Sequence, residues 1–255
     1  MTSTSPTLVY CGYHKCLTVF VGRVFNRLLG DRYHEFFGTA NIDRFYDEYR
    51  KYAVSATSDV KPDLSRLGDD YRIARFIRDP RDLVVSGYFY HRKGTEAWTR
   101  VARPRREAWS QENTPRALRS GESFAECLQR LDQEDGLIAE MEWREPHFRA
   151  MLQWPDDDPR IRLWKYEHIL GREVEVMDQM GEHFGWPDDT DPFSFRAGMR
   201  RWADRWRMKD DQLKWDKHVR DPKAGQWRTV FTPKAHAAFN ELFGDLPEKL
   251  GYDPA

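Results

Sequence analysis

The chain has 255 residues, 40% of them apolar and 14% aromatic, which is enough for a sizeable core and argues against wholesale disorder. Its 41 basic and 42 acidic side chains nearly cancel, so no global positive field draws in DNA, RNA or an anionic membrane, and any anion site must be local. Cys11, Cys16 and Cys127 follow no disulfide-framework spacing, and no secretory leader or run of about 18 apolar residues stands out, so the expected setting is the cytoplasm.

In chain order, Thr7 to Tyr10 predict a short strand, and Cys16 to Leu29 predict a helix stopped by Gly30, with Leu17, Phe20, Val21, Val24, Phe25 and Leu28 on its apolar face. Tyr33 to Phe37 suit a second strand, Asp43 to Lys51 a polar helix, and Ala53 to Thr57 another strand. Ile73 to Ile77 read as a buried strand ended by an Arg-Asp-Pro turn, and Pro80 starts a helix. Residues 94 to 121 are rich in Arg, Trp, Pro and Glu without a steady period and suit a surface excursion or lid over a substrate. Helices are expected at Phe124 to Leu131 and Trp143 to Trp154, then a strand at Arg160 to Trp164 with Tyr166 and Glu167 at its end. A helix over Glu173 to Phe184 and another from Thr232 to Leu250 complete the pattern. Repeated strand, turn and helix units predict an α/β fold, with a ligand where the carboxyl end of a strand meets the amino end of a helix.

The first such junction is VYCGYHKCLTVF, residues 9 to 20. Gly12, His14, Lys15 and Thr18 supply the ingredients of a phosphate cradle: helix-start amides, the positive end of a helix dipole, and an ammonium that can follow moving charge. A lysine stem can also snorkel at an element boundary without any such role. The nucleotide motif G-x-x-x-x-G-K-[ST] is not met, because only two residues separate Gly12 from Lys15 and Cys16 follows the lysine. Cys11, His14 and Cys16 could be weighed as metal ligands, but their spacing is not a standard one. The Trp- and Arg-rich stretch after Ser194 could stack a nucleic-acid strand, yet Asp204, Asp210, Asp211, Asp216 and Asp221 are interspersed through it.

Four segments together resemble the sulfotransferases that use 3'-phosphoadenosine 5'-phosphosulfate (PAPS). Lys15-Cys16-Leu17-Thr18-Val19-Phe20 stands in register with that family's Lys-Ser-Gly-Thr-Thr-Trp-like loop. RDPRDLVVS, residues 78 to 86, matches its Arg-x-Pro-basic-Asp signature ending in Ser. Tyr166-Glu167 fits a Tyr-Glu pair at the end of a later strand, and RDPKAGQWRTVFT, residues 220 to 232, is similar to its Arg-Lys-Gly-x-x-Gly-Asp-Trp-Lys loop. The resemblance implies a three-layer α/β/α fold with a central parallel sheet, a P-loop nucleotide-hydrolase-like sulfotransferase fold, as a single domain over residues 1 to 255. It implies donor contacts from His14, Lys15, Cys16, Leu17, Thr18 and Val19 around the 5'-phosphosulfate. Arg78 and Ser86 would hold the 3'-phosphate and Tyr166 the adenine, with Arg220, Lys223, Ala224 and Gly225 closing the site. Leu17 and Val19 depart from the family's Gly and Thr, and Asp221-Pro222 replace its Lys-Gly.

The same resemblance implies PAPS as sulfuryl donor, 3'-phosphoadenosine 5'-phosphate (PAP) as product, no required metal, a small-molecule acceptor, no nucleic-acid or membrane partner, and a homodimer as the permitted assembly. Lys15 would meet charge on the leaving oxygen. The family's usual base histidine has no counterpart in SATSDVKP, residues 55 to 62, where Asp59 takes the nearest place, with His14 and His34 as rivals. Asp59 could equally turn the chain before Pro62. Trp98, Trp109, His91 and the Arg-rich 100 to 106 stretch suit a pocket or lid. A P-loop-like kinase using ATP and Mg²⁺, and a nucleotide-binding protein without chemistry, are the alternatives.

Overall fold

The computed structural model describes residues 6–102, 114–155, 157–188, 191–207 and 221–254. It resolves into two compact units, Met1–Arg78 with Trp154–Trp215, and Asp79–Gln153 with Asp216–Ala255.

The first unit carries a five-stranded sheet built from β1 (Thr7–Gly12), β2 (Tyr33–Phe37), β3 (Val54–Ser58), β4 (Tyr71–Ile77) and β5 (Ile161–Lys165). The order is β2-β3-β1-β4-β5 and every pair is parallel. Register brings the carboxyl ends into line: Gly12 and Phe37 both pair with Ser58, and Ile77 pairs with Lys165. Both faces are covered, as a parallel sheet requires. On one face Val9, Cys11, Phe36, Tyr71 and Ile73 pack with Phe45 of α2 (Ile42–Glu48), Tyr49, Leu67 and Trp154. On the other, Tyr10 meets Phe76 edge-on at 5.3 Å, and Phe25 of α1 (Thr18–Leu29) lies 5.3 Å from Tyr33 and 6.3 Å from Phe184. Helices α6 (Tyr166–Ile169), α7 (Glu173–His183) and α8 (Phe195–Trp206) belong to the same unit. The result is the expected three-layer α/β/α fold with a central parallel sheet.

Helix α8 was not expected, because its Arg-rich composition hides a short apolar stripe of Gly198, Met199 and Ala203, all buried. Ser194 starts it by accepting a hydrogen bond from the Ala197 amide (3.3 Å). Arg196 and Arg200 pair with Asp178 of α7 at 2.7 Å each.

The second unit is helical: α3 (Pro80–His91), α4 (Phe124–Arg130), α5 (Gln133–Met151), α9 (Trp227–Val230), α10 (Pro233–Phe243) and α11 (Leu246–Lys249). Its α5 starts ten residues before the expected Trp143, where Asp132 accepts from the Asp135 amide at 2.8 Å, and it runs through Pro146. Proline removes one ladder bond there, which the packed helix tolerates. The single helix expected from Thr232 to Leu250 is divided at Gly244, whose φ of 53° favours glycine. Between α3 and α5 lies a closed ionic cluster with no side-chain exposure: Glu140 Oε2 is 2.8 Å from His91 Nδ1, and Arg144 Nε donates to Glu140 Oε1 at 2.9 Å. Gly87 faces this carboxylate directly. The lid expected at residues 94 to 121 is described only outside 103–113, with a 3₁₀ turn at Ala97–Arg100. No described helix is long and apolar enough to cross a membrane.

Candidate active site at the carboxyl edge of the sheet

Four candidate residues follow four adjacent strands. Asp59 follows β3, the Lys15 loop follows β1, Arg78 follows β4 and Tyr166 follows β5. Three inter-strand steps of about 4.8 Å therefore span the row, roughly 14 Å, a length suited to a nucleotide.

The Lys15 loop is built without the expected glycine. Lys15 (φ 70°) and Leu17 (φ 62°) both adopt left-handed backbone, with Cys16 between them outside that region. Such alternation turns successive N–H groups to one side and makes an anion-binding concavity. Leu17 is also the N-cap of α1, and no side chain caps that helix, which starts at Thr18 rather than Cys16. The loop is held from beneath. The Cys16 amide donates to the Tyr13 carbonyl (2.8 Å), and the buried Tyr10 hydroxyl donates to the Cys16 carbonyl (3.4 Å). Burial first, then the neighbouring Cys16 and Glu35, push the Tyr10 hydroxyl well above its ordinary pKa, keeping it a donor. Gly12 is glycine for packing: a Cβ would sit 2.6 Å from that hydroxyl and 2.8 Å from Thr18 Cγ2.

Asp59 grips this loop twice. Its carboxylate accepts from the His14 amide at 2.8 Å, its own amide donates to the Gly12 carbonyl at 3.0 Å, and its φ is 60°. Every left-handed non-glycine residue among those described is thus at this one edge. Strain of this kind, about 1–2 kcal/mol per residue, persists only where surroundings enforce it. His14 and Lys15 are half-buried, Cys16 is buried, and Val19 is 45% exposed. His34 lies three residues short of the strand end, stacked on Tyr52 (4.9 Å) and edge-on to Phe36 (4.6 Å), which accounts for it as an aromatic packing residue.

At the other side of the row the Arg78 guanidinium lies 4.1 Å over the Tyr166 ring, and both residues are 3% exposed. A buried guanidinium over an aromatic face combines a cation–π contact with the rigid donor geometry of arginine. Behind the loop, Arg75 lies 5.0 Å over Trp154, whose indole N–H donates to the Tyr13 hydroxyl (3.2 Å). Burial pushes the Cys11 thiol up to about 12, opposed by its bond from Thr57 and by Arg75 and Lys61, so it is an inert core residue here.

In the second unit, the RDPRD motif does more than its first arginine suggested. Asp79 caps α3, accepting from the Arg81 amide (2.9 Å) and pairing with its guanidinium (2.8 Å), and Pro80 takes the first helical position. Asp82 is fully buried and accepts from the Gly225 amide (2.7 Å) and the Trp227 amide (3.1 Å). Gly225, expected at the nucleotide, therefore spends its N–H on Asp82. Ser86 is half-buried on α3, Lys223 and Ala224 are exposed, and Arg220 lies outside the described residues. Sequence reasoning missed Arg81, Asp82 and Trp227, although the acidic residue in the first turn of a Pro-started helix was a visible sign of an amide acceptor.

No protein-family profile matches the chain, and no curated protein does. Solved structures do match. A mouse sulfotransferase complexed with PAP is similar over 98% of this chain and 87% of its own, with a TM-score of 0.53 and 16% identity. A retinol dehydratase in complex with androsterone and the inactive cofactor PAP is similar over 99% of this chain and 83% of its own, with a TM-score of 0.53 and 14% identity. The chain has a sulfotransferase-like fold.

Proposed function

We propose that the protein transfers the sulfuryl group of PAPS to a hydroxyl or amine of a small-molecule acceptor. The observation that carries this reading is the row of Asp59, the Lys15 loop, Arg78 and Tyr166 on successive strand ends of a sulfotransferase-like fold. The residues fit the donor: a left-handed amide concavity with Lys15 for its 5' end, and a buried guanidinium on Tyr166 for its 3' end.

The donor supplies an activated sulfuryl group whose S–O bridge to the 5'-phosphate breaks as the acceptor oxygen or nitrogen bonds sulfur. Lys15 meets the negative charge that grows on the bridging oxygen, with loop amides and Thr18 holding the phosphate. By the family resemblance, Arg78 and Ser86 would bind the 3'-phosphate and Tyr166 the adenine, with Lys223 and Ala224 as further donor-binding residues. The acceptor proton passes to Asp59, whose carboxylate has one oxygen on the His14 amide and a second to receive the proton.

Calorimetry with PAP on the wild type, Lys15→Ala and Arg78→Ala tests the reading. Wild type should bind, and Arg78→Ala should weaken binding by about 10- to 100-fold, the range of charge-assisted hydrogen bonds. Turnover of PAPS over phenols, alcohols, sugars and amines should survive a chelator and fall strongly in Lys15→Ala. A wild type that ignores PAP would sink the proposal.

A further inference from the structure

We infer that Asp82 is a positioning residue for the donor's 3'-phosphate, acting by fastening the 221–227 loop to the first turn of α3. The inference rests on the proposed function for the identity of the ligand, while the latch itself stands on geometry.

The loop is a compact turn. The Lys223 amide donates to Asp221 Oδ1 (3.0 Å), and the Gln226 side chain donates to the carbonyls of Asp221 (2.9 Å) and Lys223 (2.8 Å). Gly225, at φ 77°, turns the backbone so that its amide and that of Trp227 reach the two oxygens of one carboxylate. That carboxylate is wholly buried, and its place in the first turn of α3 lets the helix dipole stabilise its charge. Two amides, the part-buried one of Gly225 and the buried one of Trp227, on the two oxygens of one carboxylate make a directional fastening.

Arg81 grips the same residue from another direction. Its guanidinium lies 3.8 Å over the Trp227 ring, and Nη2 donates to the Asp253 carbonyl (2.7 Å). Asp79 holds the guanidinium through both carboxylate oxygens. Trp227 is thus tied by its backbone to Asp82 and by its ring to Arg81, and is 4% exposed. Lys223 and Ala224, the loop residues assigned to the donor, sit on the exposed side of a turn whose base is locked. The turn that carries Lys223 is anchored at Gly225 and Trp227 by a wholly buried acid.

The test compares two nucleotides by calorimetry on the full chain: PAP, and adenosine 5'-monophosphate, which lacks the 3'-phosphate. In Asp82→Asn the second amide loses its acceptor, and affinity for PAP should drop by about 10-fold while affinity for the monophosphate stays within about 2-fold. Hydrogen exchange at 221–231 should quicken in the same variant. Arg81→Lys, which keeps a cation for Asp79 and loses the guanidinium over Trp227, should show the same pattern more weakly and serves if Asp82→Asn does not fold. Equal losses for both nucleotides, or unchanged affinity for both, overturn the positioning role. A wild type that binds neither nucleotide overturns the proposed function instead, and unchanged exchange in Asp82→Asn overturns the latch whatever the ligand.

Discussion

Adding one methyl group at Gly87 should destabilise the second unit severely, and the structure says by how much. A Cβ there would lie 2.0 Å from Glu140 Oε1, 2.8 Å from Glu140 Cδ and 3.0 Å from Arg144 Nη2. An ordinary contact needs about 3.5 Å, so the carboxylate must retreat by about 1.5 Å. A carboxylate at the end of a glutamate normally yields cheaply, but this one is held by Arg144 Nε at 2.9 Å and His91 Nδ1 at 2.8 Å in a site without solvent exposure. The retreat breaks at least one of those contacts and leaves buried charge uncompensated, at a cost of about 3–5 kcal/mol. For a chain of this size that lowers the melting temperature by roughly 6–20 °C. Calorimetric melting of Gly87→Ala measures it, and a double-mutant cycle with Glu140→Ala isolates the cause, because the alanine penalty should largely vanish once the carboxylate is gone. A Gly87→Ala protein melting within about 2 °C of wild type, or an undiminished penalty in the Glu140→Ala background, would refute the reasoning.

Asp59→Asn keeps an oxygen for the His14 amide and loses the charge, so PAP affinity should hold within about 3-fold while turnover collapses; near-normal turnover removes Asp59 as the base. Asp59→Ala also releases the loop, and PAP affinity should fall by about 10-fold, measured in the same titration. At position 17 the usual order reverses: Leu17→Gly should be more stable than Leu17→Ala by about 1 kcal/mol, because only glycine takes φ 62° freely, and equal melting points would contradict this. Burial raises the Glu35 carboxyl above its ordinary pKa despite the Tyr33 hydroxyl bond, so the folded state holds its proton longer than the unfolded chain. Stability from this group is greatest at low pH and is lost as pH rises through the window above the unfolded value. Glu35→Gln should therefore gain melting temperature over wild type at pH 7.5 and gain less at pH 4; an equal gain at both would exclude the burial account.

What could be read from the chain follows from where local signals suffice. Strands β2 and β4 are rich in aromatic and apolar residues despite the polar His34, Glu35, Arg72 and Arg75, and Pro80 announces α3, so β2 and the start of α3 fall where the residues place them while β4 starts two residues before the expected Ile73. The stacking of Arg78 on Tyr166 joins residues 88 apart in sequence, and only the likeness of both motifs to one family hinted that they meet. Helix α8 hid because its buried stripe is three small or flexible residues among arginines. The loop's curvature was illegible for another reason: Leu17 has no intrinsic preference for φ 62°, and its conformation is imposed by Asp59 and Tyr10, which are distant in sequence or silent in composition.

The left-handed trio of Lys15, Leu17 and Asp59 has a consequence for how this chain would answer to selection. A library screened only for resistance to heat should favour glycine at positions 15 and 17, where it relieves a left-handed backbone, and less so at Asp59, whose carboxylate also holds the His14 amide. A library screened for nucleotide retention should keep the lysine and the aspartate. The divergence of the two outcomes, position by position, is a map of where this fold has exchanged durability for use.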